Sequence, residues 1–381
     1  MAHVLVLGGG FGGLAAAHAL RRRLPSDDDV TVVASRDQFF VGFAKLWDLV
    51  GWRPLSDGSR PLAGLDRHGI GFVRAEVTAI DPAAHTVETT AGTLTGDGIV
   101  IALGAGYQQA HTEMLGTGAY NLYDATALPE IHAALDELTD GTLLVSILGA
   151  PYLCPPAPYE AALMLDEWLR THGKRDRVNV VVSTPQPITL PVAGPDASRY
   201  LADRLTERGV TVLTEHPVES VDHDGRTVRF GGGQSLEWQL MLGVPAAAPP
   251  MVVASSPLAG PSGWIEPDRR TFATSAERVY AVGDCTLVPT ATAQLPKAGV
   301  FAEAESVVAA ANLAADLHGG DRATFDGHGF CYLELPGRQV ATVTGDFYAE
   351  PRPDVRLTPP DDASFTAKQQ WEQERLTAWL G

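Results

Sequence analysis

Three cysteines in 381 residues, Cys154, Cys285 and Cys331, are too few to staple a secreted fold. Their spacing also lacks the paired pattern of a zinc site, so no metal centre is expected, and any pair among them reads as redox-active rather than structural. Positive charge is scarce: 28 Lys and Arg stand against 46 Asp and Glu, a net charge of −18. Such a field repels phosphate backbones and argues against a nucleic-acid partner. Long apolar runs are missing too. The most apolar window, Leu240 to Leu258, is broken by Pro245, Pro249 and Pro250 and reads as a strand followed by irregular loop, not a spanning helix. Met1 to His3 leave no room for a leader before the first apolar run, so a cytoplasmic location is expected, with peripheral membrane association as the alternative.

What is present starts at Val4 to Ala17, VLVLGGGFGGLAAA. Four apolar residues form a buried strand that runs into a glycine turn and then a helix. Gly8 allows the tight turn, Gly10 lets backbone N–H groups approach a pyrophosphate, and Gly13 lets the helix pack on the strand; Phe11 and Gly12 complete the turn. A second strand, Val30 to Val33, follows within one βαβ length. The acidic residue that would hold a ribose hydroxyl at its end is replaced by Ala34, which leaves that contact to Ser35 or Asp37. The aromatic stretch Phe39 to Trp52 reads as core, with a wall beside an isoalloxazine ring as the alternative.

Gly71 to Gly106 alternates like an antiparallel meander and closes in the strand Ile99 to Ala102. Val77, Ala102 and Gly104 join the candidate nucleotide contacts. A second half follows, with strands at Thr142–Leu148, Val178–Val182 and Val210–Leu213, helices at Tyr159–Leu169 and Arg199–Arg208, and a hairpin over Val218–Phe230. Its first loop, LGAPYLCPPAPYE, has Gly149 alone, and its prolines lack the N–H donors that a second dinucleotide needs. Cys154 and Glu160 occupy it instead. Tyr280 to Asp284 ends a short strand in a carboxylate suited to ribityl or ribose hydroxyls. Cys285 reads as a small packed residue. Leu295 to Gly299, with Lys297, leads into a helix through Leu317 whose N-terminus suits the charge of a reduced flavin. Two strands around Cys331 and a helix over Asp361–Leu380, carrying Trp371 and Trp379 and expected to dock on the protein, end the chain.

At roughly 100–200 residues per domain, the length allows two or three. The expected fold is α/β, with two Rossmann-like dinucleotide-binding domains of the glutathione-reductase type and a small C-terminal domain. The first domain is expected over 1–108 and 240–318, the second over 109–239, and the third over 319–381.

Together these residues resemble the sulfide:quinone oxidoreductases and the flavoprotein subunit of flavocytochrome c sulfide dehydrogenase. The most specific pieces are Cys154-Pro-Pro-Ala-Pro-Tyr-Glu160, Pro296-Lys297-Ala298-Gly299 and the GFCYLE segment around Cys331. The resemblance implies FAD, a redox pair of Cys154 and Cys331 beside the flavin, and Glu160 as acid/base. It also implies a small sulfur substrate, a quinone or redox-protein acceptor and a homo-oligomer. Two departures stand out. No cysteine lies between Gly104 and Cys154, and Val41, Gly42 and Phe43 stand where a flavin-linking cysteine would be, so non-covalent FAD is expected. An NAD(P)H-dependent flavin reductase and a non-catalytic flavin redox sensor are the alternative readings.

Overall fold

The computed structural model describes residues 1–381 and contains two parallel five-stranded sheets of the same design. In the first, the spatial order is Val279–Ala281, Gly98–Ile101, His3–Leu7, Asp29–Ala34, Gly71–Arg74. The second runs Ala119–Asn121, Leu240–Val244, Gly141–Ile147, Val178–Ser183, Thr211–Leu213. Parallel strands covered on both faces lose the alternating pattern, which is why Val4–Leu7 and Leu143–Ile147 are almost continuously apolar and fully buried. The α/β fold with two dinucleotide-type halves is therefore as the sequence implied.

Helices Phe11–Arg23 and Gly299–His318 pack side by side on the first sheet. Buried alanines, Ala15 to Ala17 on one and Ala309 to Ala311 on the other, keep both surfaces flat enough for close approach. The first helix ends where Leu24 turns extended before Pro25, and Arg21 caps it by donating to the Leu24 carbonyl at 3.1 Å.

Several expected boundaries move. Gly71–Arg74 leaves the meander and adds in parallel to Asp29–Ala34, so the antiparallel unit is Val77–Asp81, Thr86–Thr89 and Gly92–Thr95. Leu240–Val244, assigned above to the first half, lies inside the second sheet, which therefore extends past residue 239. Five consecutive apolar positions suit any buried parallel site, so only the tertiary fold chooses between the two sheets. The hairpin at Val218–Phe230 gains a third strand, Ser235–Glu237.

The tail also differs from expectation. It has three antiparallel strands, His328–Leu335, Gln339–Asp346 and Asp354–Thr358, before the helix Ser364–Leu380, and it has no core of its own. Leu333, Leu335, Ala341 and Val343 join the core of the second half, whereas Phe347, Leu376, Trp379 and Leu380 join that of the first. The tail is thus a bridging layer. Its last helix docks on the protein: Trp379 is buried, its carbonyl lies 2.9 Å from the buried His18 Nε2, and Trp371 stacks on Phe11 with centroids 5.6 Å apart. No helix is long and apolar enough to cross a membrane.

Candidate active site

The glycine turn lies at the carboxyl end of His3–Leu7, beside the ends of the neighbouring strands that carry Ala102 and Asp284. Gly8 has φ +118°, and a Cβ there would lie 2.1 Å from the Ala102 carbonyl oxygen. At Gly13 a Cβ would meet the Gly8 oxygen at 1.8 Å, and at Gly12 it would touch the Ala102 Cβ at 3.3 Å. Gly10 is different: nothing lies within 4 Å of its Cβ position, and it caps the helix without any side chain. Unpaired helix amides therefore face open space, the arrangement that attracts an anion. Gly104, at φ +69°, is likewise open. The Asp284 carboxyl receives no hydrogen bond from the chain; burial raises its pKa and the Lys297 charge opposes that shift. Gly299 abuts the Phe11 ring, 2.6 Å from its would-be Cβ. These residues fit a flavin dinucleotide, with the pyrophosphate at Gly10 and a hydroxyl donor for Asp284.

The remaining candidates for this edge are less central. Ser35 is exposed just after Asp29–Ala34, and Asp37 is paired with Arg74 at 2.7 Å. Val77 is buried at the start of the meander. Lys297 is a buried residue. Its ammonium donates to the carbonyls of Asp284 and Thr286, both at 2.8 Å, and lies 3.6 Å from the Trp264 ring centroid. The Lys297 backbone carbonyl accepts from Cys154 N–H at 2.9 Å, which ties the cysteine loop to the first half.

That loop differs from the glycine turn in chemistry. Cys154 has φ +44°, a left-handed conformation that a side chain rarely adopts, and it is clamped by the Lys297 bond and by Ala157 N–H donating to its carbonyl at 2.9 Å. The Tyr123 hydroxyl donates to the Leu153 carbonyl at 2.5 Å. The helix Ala157–Thr171 then begins with Pro158 in its first turn, a residue already set to helical φ, and carries Glu160 inward. The tail strand His328–Leu335 carries Cys331, and charge on Cys154 and Glu160 acts on its thiol. Both cysteines are free thiols. Burial, reinforced by the Glu160 charge and opposed by Lys368 and Lys45, pushes the Cys154 thiol up to about 12. Burial raises Cys331 in the same direction. Glu160, 2% exposed, is raised to about 7 by burial; Lys368 opposes that shift, the Glu334 charge adds to it and the Glu334 backbone N–H opposes it.

Sequence reasoning missed the groups around Glu160. Its Oε1 accepts the Glu334 N–H at 2.6 Å and lies 3.9 Å from Lys368 Nζ, which also pairs with the Glu334 carboxylate. Trp47 Nε1 donates to both Glu334 oxygens, at 2.7 and 2.9 Å. Lys45, bonded to the Tyr123 carbonyl at 2.6 Å, is lowered to about 8 by burial, with the Cys154 charge opposing. The only available signal was Lys45 and Glu334 in otherwise apolar stretches; Lys368 lies in the polar run TAKQQWEQER, and no spacing rule links the three.

The second loop offers few free donors to a second dinucleotide. A Cβ at Gly149 would sit 2.4 Å from the His111 ring, and the amides of Ala157, Tyr159 and Glu160 already bond carbonyls of Cys154 and Pro156. Cys285 is fully buried, with Sγ 3.2 Å from the Val282 oxygen, as its reading as a packed residue implied.

A family model described as pyridine nucleotide-disulphide oxidoreductase matches residues 2–311. The chain is 28% identical to the sulfide-quinone reductase of Aquifex aeolicus, over 99% of this chain and 89% of that protein. It is 26% identical to the mitochondrial sulfide:quinone oxidoreductase of Mus musculus, over 75% of this chain and 66% of the mouse protein. The X-ray structure of the Aquifex aeolicus sulfide:quinone oxidoreductase superposes with a TM-score of 0.89 at 25% identity, covering 100% of this chain and 92% of that one. The chain belongs to the pyridine nucleotide-disulphide oxidoreductase family and is an oxidoreductase similar to the sulfide:quinone members.

Proposed function

We propose that this protein binds FAD without a covalent link and oxidises sulfide through Cys154 and Cys331, passing the electrons to a quinone. What supports the reading is that the Glu334 N–H, three residues on from Cys331, bonds the buried Glu160 carboxyl, and that the charges of Cys154 and Glu160 act on the Cys331 thiol. When bound, the flavin supplies a two-electron acceptor between the sulfur site and the quinone. The chain's own residues handle the sulfur. With the two cysteines joined, hydrosulfide attacks one sulfur and breaks the S–S bond, leaving a persulfide on one cysteine and a thiolate on the other. The thiolate and the outer persulfide sulfur would then join as a trisulfide bridge, releasing the persulfide proton and two electrons that a bound flavin would accept. Glu160 takes the released proton, since a carboxyl near neutrality exchanges protons most efficiently at that pH.

Two features support the finer points. The cysteine-free Val41–Phe43 segment and the sequestered Cys285 favour a non-covalent flavin. For the acceptor, Trp371 lies among Phe11, Phe330 and Tyr332 with centroids 5.6 to 6.3 Å away and Arg375 over its ring at 4.1 Å, an aromatic cluster of the kind a quinone ring packs against.

Anaerobic sulfide should bleach the flavin of the wild-type protein, and Cys154→Ser should lose that response while keeping its oxidised spectrum. Full bleaching in the variant would refute the cysteine role; rapid bleaching by NADH in place of sulfide would favour the nicotinamide-dependent alternative.

A further inference from the structure

Glu160 is faced from several elements at once. The preceding loop contributes Cys154, the tail strand contributes Cys331 and Glu334, and the last helix contributes Lys368; Tyr123 and Lys45 stand behind the cysteine loop. Among these, Lys368 and Glu334 form a buried pair of opposite charge, both 0% exposed. Trp47 holds both Glu334 oxygens, so that carboxylate is not free to turn away. Lys368 is enclosed by aromatics, with the Phe43 centroid 4.4 Å from its ammonium. A buried ion pair contributes little net stability compared with apolar residues of the same volume, so folding alone is a poor reason for this one. Its position offers a better reason. The cation lies 3.9 Å from Glu160 Oε1, while the Glu334 backbone N–H bonds that same oxygen.

We propose that Lys368 and Glu334 are positioning residues that set, by opposed charges, the pH at which Glu160 gives up its proton. Lys368 favours the carboxylate and Glu334 favours the neutral acid; the Glu334 amide fixes the geometry. The tail therefore supplies both the second thiol and the charge balance of the acid/base group. The inference rests on the acid/base reading of Glu160 given above.

The test is sulfide-driven flavin reduction against pH, paired with infrared titration of the protonated Glu160 carbonyl band assigned by difference from Glu160→Gln. Lys368→Met should move the Glu160 titration up by about 1–3 pH units. Glu334→Gln should move it down, the double variant should return near the wild-type value, and Lys368→Arg should stay close to wild type. Opposite shifts from the two single variants are what charge tuning requires, because loosened packing would not reverse sign between them. Shifts of the same sign, or an unmoved infrared titration in both, would overturn the proposal. Should Glu160→Gln keep the wild-type rate at every pH, the acid/base reading falls, and the infrared titration still decides whether the pair tunes the carboxyl.

Discussion

The loop after His3–Leu7 and the loop after Gly141–Ile147 occupy equivalent places in two sheets of the same design, yet one is a glycine turn and the other a proline-rich loop around a cysteine. In the first, glycines compress the turn against Ala102 and leave the helix amides open at Gly10. In the second, prolines remove donors, the helix amides are spent on Cys154 and Pro156, and His111 covers Gly149. The tail fastens both helices, but by different bonds. His18 of the first pairs as a neutral ring with the Trp379 carbonyl, whereas Glu160 of the second sits in a charged cluster with Glu334 and Lys368. One topology thus carries two unlike loops because a handful of residues decides whether the helix amides stay open or are spent within the loop.

That contrast can be broken experimentally. The largest effect should come from Gly8→Ala, which forces a side chain into a left-handed conformation and onto the Ala102 oxygen. We expect a loss of about 3 kcal/mol or more, seen as a lower melting temperature and absent flavin absorbance. A smaller effect concerns the neutral fastening. Burial lowers His18 from 6.5 to about 4, so the folded state disfavours the cation. Its stabilisation is complete above pH 6.5 and is lost as the pH falls towards 4, up to about 3 kcal/mol, a slope that His18→Gln should remove from a urea-unfolding series. Gly10→Ala should be milder and more selective. The Cβ meets nothing in the chain, so thermal stability of the flavin-free protein should stay within about 0.5 kcal/mol, while flavin affinity drops at least ~10-fold, or ~1.4 kcal/mol, in a binding titration. Equal losses of stability at Gly8 and Gly10 would erase the distinction between a turn glycine and a ligand glycine.

Much of the fold and the thiol loop was legible because local rules governed them. The glycine spacing after an apolar run, the prolines around Cys154 and the alanine-rich helix after Gly299 each carry their own physical constraint within a few residues. Gly71–Arg74 and Leu240–Val244 were misplaced because a short strand holds no record of its partner; alternation and apolarity describe its faces, not its neighbours. The tail looked like a separate domain for a similar reason. Its strands have ordinary alternation, and nothing in that pattern says that their buried faces complete two other cores.

The chain by itself determined the βαβ frame, the glycine turn and the donor-poor proline loop, since each depends on backbone donors, glycine φ angles and proline within one loop. Only the tertiary structure decided that Glu334, Lys368, Trp47 and Lys45 surround the reactive group, because charges buried together are selected by proximity in space and leave no periodicity along the sequence. The proton affinity of Glu160 belongs to that second class: burial and neighbouring charge set it, and both arise only when the tail closes over the two halves.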